Sequence, residues 1–308
     1  MAAEKQSIFS YILIGLAVLA VFIGLPVLFF TYFGAGDVHG QGRVALIPID
    51  GVIMTSSGSS FGESYVGSDD VVSYIEDAAS DPTIDMIMLE INSPGGSAVA
   101  SDEIASAVLK VDKPVVAVIR EAGASGGYWV ASSADYVIAN KMSITGSIGV
   151  ISSYLEFSGL MEQYGVRYEQ LTAGEYKDMG TPYRALTYEE KNKMTSKLDR
   201  VHEFFIQEVA KNRNMTLEAV RELATGEFYL GVEAKELGLV DELGGQDEAE
   251  KYLKTRGNYS SITYEVYQRD PSFFDILSGV VTHMSMSVGK GIISGMTESS
   301  QSVRADLR

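Results

Sequence analysis

The chain has 308 residues, 46% hydrophobic and 21% charged, a globular composition with room for one large core or two small ones. A net charge of −17 argues against a nucleic-acid partner, because an acidic surface repels phosphate, and against flat docking on anionic lipid. Cysteine is absent, which excludes disulfides, zinc–thiolate sites and a cysteine nucleophile, and the histidines number three: His39, His202 and His283.

In chain order, residues 1–7 form a short polar tail, and Ile8 to Phe33 is an apolar run without a charged residue. As a helix its 26 residues reach ~39 Å, more than a hydrocarbon core of ~30 Å. The alternative is a cleaved signal peptide, but the apolar part of such a leader spans only ~7–15 residues. The run therefore reads as a transmembrane anchor, in which lipid tolerates Pro26. Lys5 precedes it and Asp37 follows it, which favours a cytoplasmic N-terminus and an external domain in a single-pass cell-membrane protein.

Residues 34–43 read as a linker and 44–268 as one domain. Strands are expected at Val44–Ile53, Ile84–Ile91, Pro114–Ile119 and Tyr136–Ile138, with a loop over 54–70. Helices are expected at Asp70–Ala79, Ala98–Leu109, Ser125–Ser132, Thr187–Lys211, Thr216–Thr225 and Val232–Leu237. In the long helix Leu198, Val201, Phe204, Phe205 and Val209 form the apolar side, and Thr187 with Glu190 forms a capping box. A late strand is expected at Ile262–Val266. Strands alternating with helices give an α/β fold with a mostly parallel sheet. Residues 269–308 read as an amphipathic or flexible tail, either loosely ordered or docked in a groove.

Three segments carry chemistry. Asn92-Ser93-Pro94-Gly95-Gly96 follows a strand, and its glycines let the backbone turn and aim N–H groups at an oxyanion. Ala124-Ser125-Gly126-Gly127 places a serine where a helix begins, beside free N–H groups. Alone, the first is equally an ordinary turn and the second an ordinary N-cap. Gly174-Glu175-Tyr176-Lys177-Asp178 places a lysine in a polar stretch, where lysines are commonly just solvated. Ser125 needs a base, and no histidine lies in a loop near a strand end. A Ser–Lys pair can replace a histidine, provided that the lysine is neutral and shielded from carboxylates such as Glu175 and Asp178.

Together ASGGYW, NSPGGS, TGSIGVI and GEYKD, with LTYEEK (186–191) and GLVDELGG (238–245), resemble the SppA-type signal peptide peptidases, over about Val44 to Leu243. The resemblance implies a ClpP/crotonase-like fold with flanking helices, with Ser125 as nucleophile and Lys177 as general base and acid. It also implies an oxyanion hole from the Gly96 and Gly126 amides, and Ser147 as a residue orienting the lysine. A serine endopeptidase that degrades remnant signal peptides and other hydrophobic membrane-derived peptides is expected, needing no metal or cofactor. Its partners would be such peptides, membrane lipid through residues 8–33 and further copies in a ring or dome that share active sites. Activity should favour neutral to alkaline pH. The alternatives are a peptidase dedicated to a stomatin-like membrane partner, a crotonase-like acyl-CoA enzyme and a non-catalytic peptide-binding scaffold.

Overall fold

The structure, a computed structural model, describes residues 39–60 and 63–268. The expected anchor, residues 8–33, and the tail after 268 lie outside these residues. Among the described residues, no helix is long and apolar enough to cross a membrane.

The fold is α/β, a largely parallel sheet with flanking helices. Its strands are β1 (His39–Asp50), β5 (Met86–Ser93), β6 (Val115–Ala124), β7 (Tyr136–Ala139), β10 (Glu242–Leu243) and β11 (Tyr259–Val266). They lie in the order β10-β7-β6-β5-β1-β11. A short β8 (Ile144–Gly146) continues alongside the end of β6, and β9 (Phe228–Leu230) pairs antiparallel with β8.

The apolar runs become central strands because both faces are covered. On one face Ile47, Ile49, Ile87, Leu89, Ile91, Ala117 and Ile119 pack under α1 (Ser68–Ser80), α2 (Ala98–Val108), α3 (Gly126–Ser132) and α5 (Tyr188–Asn212). On the other face Val44, Met86, Met88, Val116, Val118 and Ile138 pack against α8 (Gln246–Gly257) through Ala249 and Leu253. Side chains alternate between the faces, as the period of two requires.

Several boundaries differ from expectation, for physical reasons. β1 starts at His39, inside the expected linker, because parallel pairing with β11 runs back to His39↔Tyr259. The expected loop over 54–70 contains β3 (Gly58–Ser60) and β4 (Glu63–Gly67), which join β2 (Val52–Met54) in a small sheet. Hairpin pairing overrides the poor strand propensity of its serines and glycines. β6 runs on to Ala124 past a register shift against β5, from Ile91↔Ile119 to Ser93↔Gly123. Such a bulge re-aims a strand end. The Thr187 capping box starts α5 as expected, but the buried stripe is Phe205, Ile206, Val209 and Ala210, whereas Phe204 is 49% exposed. The helices α4 (Ser158–Gln163), α6 (Leu217–Leu223) and α7 (Gly231–Glu236) complete the described elements.

Candidate active site

The carboxyl ends of β5, β6 and β8 converge, the usual place for a site in a parallel sheet. β6 ends at Ala124, and Ser125 follows as the N-cap residue of α3. Its backbone is at φ 52° and ψ −122°, outside the regions that residues with a Cβ favour. The Ser125 N–H donates to the Gly146 carbonyl at 2.8 Å, and its carbonyl accepts from the Trp129 N–H at 2.9 Å. Its hydroxyl makes no capping bond to the helix. The N-cap alternative in the sequence therefore does not describe this serine, which sits on a held, unfavourable elbow and is partly exposed.

The NSPGGS turn lies against this elbow, backbone to backbone. Gly95 has φ 99°, and a Cβ there would meet the Gly126 nitrogen at 2.7 Å and the Ser125 Cβ at 2.9 Å. Ile53 bonds to both neighbours of Gly96: its N–H donates to the Gly95 carbonyl (2.9 Å) and its carbonyl accepts from Ser97 N–H (2.8 Å). In that parallel pattern the Gly96 N–H points away from Ile53. It lies toward Gly126, whose Cβ position is 3.3 Å from the Gly96 nitrogen. Gly126 is the first residue of α3, so its N–H has no acceptor in the helix. Among the described residues neither amide makes a hydrogen bond, and the two flank Ser125, the arrangement that stabilises an oxyanion.

A cavity of about 490 Å³ opens here, bounded by Gly96, Ser125, Gly126, Ser147, Gly149 and Gly226, with Trp129, Val150, Ile151 and Phe205 supplying apolar wall. Trp129 and Phe205 stack with ring centroids 4.6 Å apart. Ser147 also has positive φ (49°); its N–H donates to the Glu227 carbonyl at 2.9 Å and its hydroxyl to the Gly226 carbonyl at 3.3 Å. His202 lies nearby, but its Nε2 faces the Ile148 carbonyl at 3.1 Å.

The structure thus brings Ser125, Gly96, Gly126 and Ser147 together. It does not bring Lys177 to them. Lys177 stands exposed in a turn, outside the residues lining the cavity, with no hydrogen bond or ion pair to its amine among the described residues. The burial expected of a neutral lysine is not met within the described single chain.

Sequence reasoning missed Ser101, whose buried hydroxyl bonds the Ser97 carbonyl at 2.9 Å and lies 2.2 Å from a Cβ built on Gly126. It also missed Gly226, which reaches the cavity only because β9 folds back on β8. A serine inside a helix and a glycine in a turn carry no local signal of either role. Among the described residues no group of histidine, aspartate and glutamate is placed to hold a metal ion.

Residues 107–259 match the model of Peptidase family S49, a span that includes Ser125, Ser147 and Lys177. A Methanocaldococcus jannaschii protein named as a candidate protease is 35% identical over 223 residues, covering 72% of this chain and 71% of its own length. An Enterococcus faecium protein named as a candidate signal peptide peptidase SppA is 33% identical over 236 residues, 75% of this chain and 69% of its own. Protease 4 of Haemophilus influenzae is 31% identical over 210 residues, 67% of this chain but 34% of the longer protein.

Proposed function

The chain belongs to peptidase family S49 and is a serine-type peptidase of the SppA kind, and from that premise we propose that Ser125 is its nucleophile and that Lys177 of a neighbouring copy is the general base. The observation that carries the reading is the pair of Gly96 and Gly126 amides beside a serine held at φ 52°. Ser125 Oγ attacks the peptide carbonyl carbon as Lys177 Nζ takes its proton. The oxyanion sits on the two amides, each worth about 10²–10³ in rate in comparable sites. The carbon–nitrogen bond breaks and the leaving amine takes the proton from Lys177; water, deprotonated by Lys177 Nζ, then attacks the acyl carbon, the acyl–Oγ bond breaks, and Lys177 returns that proton to Ser125 Oγ. Ser147 lines the cavity where it would orient the incoming lysine.

Two observations support delivery of the lysine from another copy. The turn that carries Lys177 is fastened to Glu189 and Glu190 at the start of α5, about 22 Å along the helix from Phe205, which walls the cavity. Beside it, residues 151–171 present apolar side chains to solvent, among them Ile151 (91% exposed), Tyr164 (73%) and Leu171 (101%). Exposed apolar side chains gathered along one segment in this way suit a protein contact. It fits a ring or dome of copies on the ClpP/crotonase-like plan, each giving a lysine to the next.

The aromatic and aliphatic cavity wall suits hydrophobic peptides, and remnant signal peptides and other membrane-derived peptides are the substrate class we assign. Residues 8–33 would anchor the chain in the cell membrane, with the domain 44–268 on the extracytoplasmic side. A serine-reactive probe should label Ser125, and Ser125→Ala should abolish both labelling and cleavage. The decisive assay co-expresses Ser125→Ala with Lys177→Ala. Each is inactive alone; in a randomly mixed ring about a quarter of the sites unite an intact serine with an intact lysine, and activity returns to that fraction. No recovery would refute delivery from a neighbour.

A further inference from the structure

Both residues that flank Lys177 are fastened to the first turn of α5, and Lys177 itself is not. Tyr176 donates its hydroxyl to Glu189 at 2.6 Å. Lys193 closes that side, 3.3 Å from the Glu189 carboxylate and 4.5 Å above the Tyr176 ring centroid. Asp178 accepts from Arg184 Nε at 2.6 Å, and the outer nitrogens of Arg184 grip both oxygens of Glu190, at 2.9 and 2.5 Å. Glu190 is itself fixed, because it accepts from the Thr187 N–H at 2.8 Å in the capping box and its side chain is only 5% exposed. The turn between is short-ranged: Lys177 N–H reaches the Gly174 carbonyl (3.2 Å), and Thr181 N–H reaches that of Asp178 (2.9 Å).

We propose that Arg184, clamped between Asp178 and Glu190, and Tyr176, held on Glu189, are positioning residues that fix the Lys177 turn on α5 and so present its amine to Ser125 of the next copy. The inference rests on the reading of Lys177 as the base. A free surface turn would let the amine wander over several ångströms, and misplacement by 1 Å can cost about 10² in rate. A bidentate guanidinium–carboxylate pair restricts two planes at once, which a single point charge does not.

The clamp also directs charge. The Asp178 carboxylate, one residue from the amine, is turned onto Arg184, which holds it below the usual carboxylate range. Its negative charge is thereby engaged elsewhere, as a lysine that must act as a base requires. The GEYKD and LTYEEK motifs become one device: the first carries the amine and the second holds the first in place.

The test uses the full chain, co-expressed as two tagged copies. Lys177→Ala gives the serine, Ser125→Ala gives the lysine, and Arg184→Met is added to one or the other. On the lysine-giving copy it should lower kcat at least about tenfold at unchanged KM. On the serine-giving copy, turnover should match the pair without Arg184→Met. Equal loss in both arrangements, or loss in neither, overturns the clamp. Silence of the pair without Arg184→Met refutes instead the crossing of Lys177 between copies. The clamp is then judged on homogeneous Arg184→Met enzyme, where a tenfold fall in kcat at unchanged KM keeps it and unchanged kcat overturns it. Where Arg184→Met lowers the yield, Asp178→Asn leaves the Arg184–Glu190 pair in place and is read by the same outcomes.

Discussion

Substituting Ser125 by glycine and by alanine separates the geometry of the elbow from its chemistry. Both variants lack Oγ, so both should be inactive. They differ in what the backbone tolerates. Position 125 sits at φ 52° and ψ −122°, pinned by its bonds to Gly146 and Trp129. Holding a residue with a Cβ in such a region costs about 1–3 kcal/mol, and alanine keeps that cost. Glycine removes it, but loses about 0.5–1 kcal/mol to alanine through the freedom of its unfolded chain. The balance favours Ser125→Gly over Ser125→Ala by about 1 kcal/mol, or about 2–4 °C in Tm for a domain of this size. Thermal unfolding of both proteins, followed by circular dichroism at one concentration, measures it. If Ser125→Ala melts at or above Ser125→Gly, the elbow is not strained and the account of how Oγ is presented falls.

Two further expectations concern the amides and the clamp. In Gly126→Ala the new methyl meets Ser101 Oγ at 2.2 Å and the Gly96 nitrogen at 3.3 Å, so kcat should fall by about 10²–10³ and stability should drop. Adding Ser101→Ala should restore much of the Tm and none of the rate, and full recovery of rate would remove Gly96 from the oxyanion hole. The clamp also predicts a pH effect. The Arg184 guanidinium and the Thr187 amide hold the Glu190 carboxyl down at about 2 from 4.5, so its contribution to stability is present above about pH 4.5 and is lost as pH falls toward 2. The slope of stability against pH in that window should flatten in Glu190→Gln; an unchanged slope would show that the pair does not stabilise the fold.

The parallel strands were legible because strands buried on both faces read as unbroken apolar runs, as IDMIMLEI and PVVAVI do. The Thr187 capping box was equally plain. α8 was not, since only Ala249 and Leu253 are buried, with Tyr252 half-buried beside them, in a stretch otherwise rich in charges. β9 was hidden for the reverse reason, being three residues whose pairing with β8 comes from more than eighty positions away. At the site, the serine and the glycines could be singled out because they sit at strand ends where the backbone turns sharply, which short motifs mark. The requirement on Lys177 was read as burial and shielding from carboxylates such as Glu175 and Asp178. The described chain leaves Lys177 in an exposed turn, and sequence names a side chain but not what another copy would pack against it; on the proposed reading the requirement becomes one of presentation.

β1 bears on how a substrate must travel. It starts at His39, close behind the apolar run, and ends at Asp50, whose carboxylate accepts from Asn92 at 3.0 Å beside the oxyanion turn. Eleven steps of about 3.3 Å lift the chain about 36 Å between those points. Were residues 8–33 held in a bilayer, as proposed, β1 would hold the end of the domain that follows the anchor and the end that carries the Asn92 turn about 36 Å apart. A strand standing off the lipid would then put a peptide still lying in the membrane out of reach of Ser125 and favour one released from it.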